Sequence, residues 1–464
     1  MRDPLADADP LSRADAATLA MLYGRGEASP VEAVSSALAR AEAIQPAFNA
    51  FTRILHDEAL AAARESERRW QGGRPRGPLD GVPTTIKDIV WIKNHATRYG
   101  SRAPAVESVE DAPAVALLRE AGAVIIGITT TPEFGWKALT DGPLTGISRN
   151  PYDPALTPGG SSGGAAVAAA TGAGTLHLGT DGGGSIRIPA AFTGIVGHKP
   201  TFGRVPAYPA SAFGTVAHIG PMARSVADAA LMLDAMSGRD FRDWFQNPLP
   251  FKPAVGEAAA SLVGLRLGVW DRPPFGTVEP EVARDFAAAC ATLERAGANL
   301  RPIALPPDED LLGLFQTLWF TGAAARLAGL PPGALAEVDP GLLEIAEEGR
   351  AVSATRLIQA NGRRAVFGAG VDVLLAEHDA IISPACAVRP FAAGAEVPEG
   401  SGLTRWTQWA GFSYPVNLAQ APACVIPSGL AVMGVPAALQ IIGPRGGDGR
   451  VLAIAAACEA LFAG

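Results

Sequence analysis

The chain has 464 residues, 48% hydrophobic and 18% charged, with a formal net charge of −8. This is the balance of a globular protein with a sizeable core, not of a disordered chain, and the acidic total argues against nucleic acid as a main partner, because phosphate binding needs a basic surface. No apolar run reaches the roughly 18 residues of a membrane span, and MRDPLADADP at the N-terminus lacks the apolar stretch of a secretion signal. The four cysteines, Cys290, Cys386, Cys424 and Cys458, show no Cys-x-x-Cys spacing, and the six histidines show no ligand spacing. The expectation is a cytoplasmic protein with buried, reduced thiols and no metal.

In chain order, residues 11–23 carry a short helical pattern that Gly24 is expected to stop. Ser29, Pro30 and Glu32 form a strong helix start, with Ser as cap, Pro in the first turn and Glu three residues on. Val31, Val34, Leu38 and Ala41 then share a face, and Pro46 is expected to end the helix. A more polar helix is predicted over 57–70. Residues 84–88 read as a strand with Lys87 near its end, 111–120 as a helix stopped by Gly122, and 124–127 as a buried strand. Further strands are predicted at 265–270 and 379–384, a helix at 279–296, closing strands within 415–443 and a final helix over 450–462. Residues 240–262 are proline-rich and irregular, 305–340 mix loop and helix, and 390–402 read as a loop. Alternating strands and helices argue for an α/β fold.

The chain is organised around residues 157–200, which hold serines in two glycine-rich turns. The first turn is Gly159-Gly160-Ser161-Ser162-Gly163-Gly164 and the second Gly182-Gly183-Gly184-Ser185, with a small-residue helix pattern over 165–170 and an apolar run over 175–179 between them. A serine that closes a run of glycines has several unobstructed N–H groups beside its hydroxyl, as a tetrahedral oxyanion requires. No histidine announces itself as the base that a serine nucleophile normally needs. Gly160 to Gly164 also satisfies the Gly-x-Ser-x-Gly elbow, which would make Ser162 the nucleophile of an esterase. An elbow follows a buried strand, however, and NPYDPALTPGG reads as a loop. The glycines lack the Lys of a phosphate-binding loop, so no nucleotide is implied.

GGSSGG followed by GTDGGGSIRIPAAFTGIVGHKPT resembles the amidase signature family of serine hydrolases. PLDGVPTTIKD and TTTPEFGW resemble further segments of the same family, the first being the one that supplies its catalytic lysine. The resemblance implies one α/β/α domain over residues 1–464 around a large mixed β-sheet, with variable pocket segments near 240–262, 305–340 and 390–412. It implies a relay in which Ser185 is the nucleophile, Ser161 a bridging serine on a cis peptide bond and Lys87 a base kept neutral by burial. Backbone N–H groups of Gly182, Gly183, Gly184 and Ser185 would receive the oxyanion. Ser162 is expected to donate a hydrogen bond to Lys87, Asp181 to anchor the loop N–H groups, and Arg187 to pair with Asp181 in preference to touching substrate. Gly135 and Trp136 line the pocket by their position in the loop, unless that loop is structural and its Trp simply buried. Trp406, Trp409 and Phe412 read as core aromatics in preference to a pocket roof. Gly182 stands where the family usually carries Thr or another side chain, a change expected to loosen the loop.

The function implied by the resemblance is that of an amidase that hydrolyses a linear C–N bond through an acyl-enzyme, without metal or cofactor. The substrate would be a small, aryl or oligomeric amide, with carbamate and ester bonds open to the same chemistry. Two alternatives keep the fold. One is the amidase subunit of a glutamyl/aspartyl-tRNA amidotransferase, which hands ammonia to a partner protein; the other is a non-catalytic binding protein. Family members are often dimers, which leaves a homodimer open although no sequence feature fixes the oligomeric state, and neither nucleic acid nor membrane is expected as partner.

Overall fold

Capping residues set several helix boundaries in the structure, a computed structural model that describes residues 3–246, 252–254, 261–432 and 434–463. After the short α1 (Pro10–Arg13), α2 (Ala16–Arg25) starts where the Asp15 side chain accepts the Thr18 N–H. It runs past Gly24 because its left-handed cap is Gly26, at φ 68°. α3 (Pro30–Phe48) opens on the capping box of Ser29 and Glu32. It does not end at Pro46. The ring holds a helical φ, so within the last turn Pro46 forfeits only its own N–H, and the helix closes at Asn49 with φ 52°.

Next come β1 (Phe51–Ile54), α4 (His56–Gln71) and β2 (Pro83–Lys87). A small ribbon of β3 (Ala96–Thr97) and β4 (Val106–Glu107) precedes α5 (Pro113–Glu120) and β5 (Val124–Thr129). A second ribbon, β6 (Asp141–Gly142) with β7 (Gly146–Ile147), leads to α6 (Gly163–Thr171), β8 (Leu176–Asp181), α7 (Arg187–Thr193), β9 (Val196–Lys199), β10 (His218–Ala223) and α8 (Val226–Met236). The later chain supplies β11 (Arg266–Val269), α9 (Pro280–Arg295), β12 (Asn299–Pro302), α10 (Leu311–Ala328), α11 (Pro340–Arg350) and α12 (Ala354–Ala376). β13 (Ala380–Pro384), α13 (Tyr414–Leu418), β14 (Ala423–Val432), β15 (Val435–Ile442) and α14 (Asp448–Ala463) complete it. Of the irregular segment expected at 240–262, residues 247–251 and 255–260 lie outside the described residues.

The main sheet has 11 strands in the order β1-β5-β2-β8-β10-β9-β14-β15-β13-β11-β12. β2 lies parallel between β5 and β8, and β11 lies parallel to both β12 and β13. The strands from β8 to β13 along that order pair antiparallel, which makes the sheet mixed. The strands from residues 51–223 occupy one side and those from 266–442 the other, meeting where β9 pairs with β14.

Strand residues alternate between two cores, as the period of 2 demands. Ile381, Val425 and Ile442 pack with α6, α7 and α10 on one face, while Ile382, Cys424 and Ile441 pack with α8 and α14 on the other. Every residue of α6 is buried. Its small residues follow from crowding: a Cβ on Gly163 would stand 2.3 Å from Thr140 Oγ1. Trp406, Trp409 and Phe412 belong to the core beneath α10, in keeping with the core reading. All four cysteines are free, with Cys290 partly and the other three fully buried. Among the described residues no helix is long and apolar enough to cross a membrane.

Candidate active site

Lys87 ends β2, enclosed by the parallel neighbours β5 and β8, and is fully buried. Its Nζ lies 2.6 Å from Ser161 Oγ, 2.9 Å from Ser162 Oγ and 2.9 Å from Thr180 Oγ1. No carboxylate pairs with it among the described residues. Burial drives its pKa well below the ordinary lysine value, against a smaller upward pull from Asp181. Three hydroxyl neighbours suit a neutral amine, which has two N–H donors and one lone pair. The Ser162 hydroxyl donates to the Thr180 carbonyl at 3.1 Å, so its oxygen accepts from Lys87. This reverses the expected direction of the Ser162 bond. Thr180 itself is not singled out by any sequence motif. Its one signal is its place one residue before Asp181, on a strand that runs beside the lysine strand.

The first glycine turn brings Ser161 to this lysine. The Gly160–Ser161 peptide bond is cis. Gly160 tolerates no side chain, since a Cβ there would sit 2.2 Å from the Leu139 carbonyl carbon and oxygen. Thr140 Oγ1 donates to the Gly159 carbonyl at 2.9 Å and accepts the Gly163 N–H at 3.0 Å, which clamps the turn. The Ser162 N–H donates to the Ser185 carbonyl at 3.1 Å and ties the two turns together. Ser161 and Ser185 both line one cavity, whereas Ser162 is fully buried and does not. Among the described residues the Ser185 hydroxyl makes no hydrogen bond, so it faces the cavity free.

Asp181 and Arg187 hold the second turn, as a fully buried pair. Arg187 Nε donates to Asp181 Oδ2 at 2.9 Å and Nη2 to Oδ1 at 3.0 Å. Arg187 also donates to Gln440 Oε1 at 2.8 Å and to the Ser413 carbonyl at 3.1 Å. Burial would raise the Asp181 pKa, but the Arg187 charge and hydrogen bonds hold it below the usual range. The Asp181 carboxylate accepts N–H groups from Gly184 at 2.8 Å and Ile186 at 3.2 Å. The three-glycine oxyanion site therefore needs correction: the Gly184 N–H is already committed to Asp181. Among the described residues the N–H groups of Gly182, Gly183 and Ser185 meet no acceptor. Gly182 itself is crowded. A Cβ there would stand 2.7 Å from the Trp319 ring, so the indole occupies the space a side chain would fill.

The cavity has a volume of about 500 Å³ and mostly apolar walls, with Trp91, Tyr99, Phe134, Phe213 and Trp319 among them. Phe213 stacks on Trp319 with centroids 3.8 Å apart, and Trp319 Nε1 donates to the Trp136 carbonyl at 2.9 Å. Gly135 lines the cavity, and a Cβ on it would lie 3.4 Å from Ser161 Oγ. Trp136 does not line it. Its ring is buried against Gly341, so of the two pocket residues expected from the loop only Gly135 reaches the site. Trp319 escapes a reading of the sequence because a wall residue on a helix more than a hundred positions from the glycine turns has no local signature. Among the described residues no cluster of three or more His, Cys, Asp or Glu is placed to hold a metal ion.

Known proteins resemble the chain along most of its length. The sequence profile of the family described as Amidase matches residues 32–452. An acylamidase from Rhodococcus erythropolis is 33% identical over 445 residues, covering 93% of this chain and 92% of that protein. One of the subunits of the glutamyl-tRNA(Gln) amidotransferase from Chloroflexus aurantiacus is 33% identical over 461 residues, covering 94% of each. The crystal structure of a bacterial aryl acylamidase of the amidase signature family superposes with a TM-score of 0.90 at 27% identity, over 98% of this chain and 97% of that one.

Proposed function

The chain belongs to the amidase family, enzymes that hydrolyse C–N bonds, and on that premise we propose that it cleaves a carboxamide through an acyl-enzyme on Ser185. The observation that carries this reading is Lys87, buried without a counter-ion among three hydroxyls at the edge of a cavity that Ser161 and Ser185 share. In the resting site the neutral amine donates its two N–H groups to Ser162 and Thr180, and its lone pair accepts the Ser161 hydroxyl. As Ser185 Oγ attacks the substrate carbonyl, its proton moves to Ser161 Oγ and the Ser161 proton moves to Lys87 Nζ. The N–H groups of Gly182, Gly183 and Ser185 receive the oxyanion, and each such donor is worth about 10²–10³ in rate. Collapse of the tetrahedral intermediate expels the amine, which takes a proton back along the same path. Water, deprotonated by the same relay, then releases the acid from Ser185. None of these steps calls for a metal or cofactor.

The aromatic walls favour an aryl or otherwise apolar amide, in keeping with the names of the acylamidase relatives. Carbamates and esters enter the same acyl-enzyme chemistry. The amidotransferase reading rests on an equally similar relative. It is less favoured because the carboxylates at the cavity are engaged: Asp181 by Arg187, and Asp243 by the N–H groups of Ala207 and Phe245. Neither is left for the ammonium group of glutamine. An esterase centred on Ser162 is disfavoured by the burial of that side chain away from the cavity. Turnover of 4-nitroacetanilide, with mass spectrometry of the trapped acyl-enzyme, tests the proposal. Wild type is expected to hydrolyse the anilide and carry the acyl group on Ser185, and Ser185→Ala to do neither. Undiminished turnover by Ser185→Ala would sink it.

A further inference from the structure

Arg326 stands in the last turn of α10, on the wall of the cavity that holds Ser161 and Ser185. Its guanidinium lies over two aromatic faces, 4.5 Å from the Tyr99 ring centroid and 4.4 Å from that of Phe134. A guanidinium set over ring faces can still use its in-plane N–H donors for another partner. Among the described residues Arg326 makes no hydrogen bond and no ion pair, and its Nε is buried without an acceptor. No other lysine or arginine lines this cavity among the described residues. The two aspartates on its wall are held elsewhere, Asp181 by Arg187 and Asp243 by backbone N–H groups. A guanidinium has five N–H donors, and a buried one left without an acceptor is destabilising. A half-buried arginine with no acceptor among the described residues, on the wall of a mostly apolar cavity, is suited to a partner that arrives with the ligand.

We propose that Arg326 reads a carboxylate on the substrate, remote from the scissile bond, so that the preferred substrate is a monoanionic amide whose apolar part rests on the aromatic walls. The planar fork matches a carboxylate in a paired, charge-assisted contact, stronger than any neutral hydrogen bond available here. With no carboxylate free at the cavity, a zwitterion finds a partner for only one of its charges. The inference rests on the reading of Ser185 as the acyl site and adds the charge of the amide that acylates it.

The test uses two matched pairs of anilides. 4-Acetamidobenzoate against 4-acetamidoacetophenone places the charge on the amine side, and succinanilate against 4-oxopentananilide places it on the acyl side. In wild type the carboxylate member of one pair is expected to have a kcat/KM higher by about tenfold or more. That ratio should fall to near one in Arg326→Gln and recover in part in Arg326→Lys. Ratios near one for both pairs in wild type, or a ratio that survives in Arg326→Gln, overturn the inference. Calorimetric binding of all four probes to Ser185→Ala separates this inference from the amidase reading. Tighter carboxylate binding that disappears when Arg326→Gln is added supports the inference, even if wild type turns over none of the anilides, in which case the amidase reading is the one that fails. Equal affinity within both pairs, or no binding of any probe, overturns it.

Discussion

The floor of the site and its roof are held by different forces. The floor, drawn from residues 83–199, is a polar assembly in which Lys87, Ser162, Thr180, Asp181 and Arg187 each meet named partners at hydrogen-bond distance. The roof is a stack of rings. Phe213 stacks on Trp319 with centroids 3.8 Å apart, and Tyr99 lies 6.0 Å from Phe134, all four on the cavity wall. Hydrogen bonds fix direction and ring stacking mainly fills volume. Proton transfer therefore belongs to the floor, and the roof can change substrate shape without disturbing it.

The sharpest way to break this contrast is to remove the floor's reacting groups. Ser185→Ala should lower kcat for a nitroanilide by about 10⁴–10⁶, and Lys87→Met by a comparable factor, because groups that act as one relay are not additive. Steady-state rates of the double variant check this, and a far deeper loss than in either single variant would show that the residues act separately. Arg187→Gln leaves the Asp181 charge buried and unpaired and should cost about 3–5 kcal/mol of stability by urea unfolding. A change near zero would mean that polar fixation matters less to the floor than its distances suggest. Gly182→Thr tests the line between the two regions. The new side chain meets the Trp319 ring, and kcat/KM should drop by about 10², the scale of one oxyanion donor. Adding Trp319→Ala should restore much of it, and additivity of the two changes would show that floor and roof are not coupled there. The mildest perturbation is pH. In the proposed relay Lys87 acts in its deprotonated form and its value is depressed, so activity should be full above that value and fall as pH drops through it. The acid limb of kcat/KM should lie well below the ordinary lysine range, and a limb within that range would refute the burial argument.

Legibility in the sequence divides along the same line. The floor's serines, lysine and acid sit in contiguous stretches where glycine turns and a buried strand leave few other uses for a hydroxyl or an amine. The fate of the Gly184 N–H is not readable there, because it depends on how the Asp181 carboxylate folds back across the loop. The direction of the Ser162 hydrogen bond depends on Thr180, which no motif singles out. Trp136 is misplaced by the sequence because position in a loop does not say which way a ring turns. Trp319 and Arg326 reach the cavity from α10, where a helical pattern reveals buried and exposed faces but not what lies opposite. Pro46 shows the limit of a local rule, since a proline in a final turn removes one donor and need not end a helix.

The order of strands in the sheet has a consequence for how the molecule is made. β9 finds its outer neighbour in β14, so while the chain is being synthesised that edge stays unpaired until residues from Ala423 onward emerge. An open strand edge is a template for pairing with another chain. Arg187, which sets the second glycine turn, waits for the same late segment, since it leans on Gln440 in β15 and on the Ser413 carbonyl. Every side chain of the proposed relay is present by Ser185, yet the turn that carries it gains its full anchorage only after the sheet has closed. On the proposed relay, activity would thus require completed synthesis, since a ribosome-bound fragment that stops short of β14 has the relay's side chains without the strand and side chains that anchor the turn.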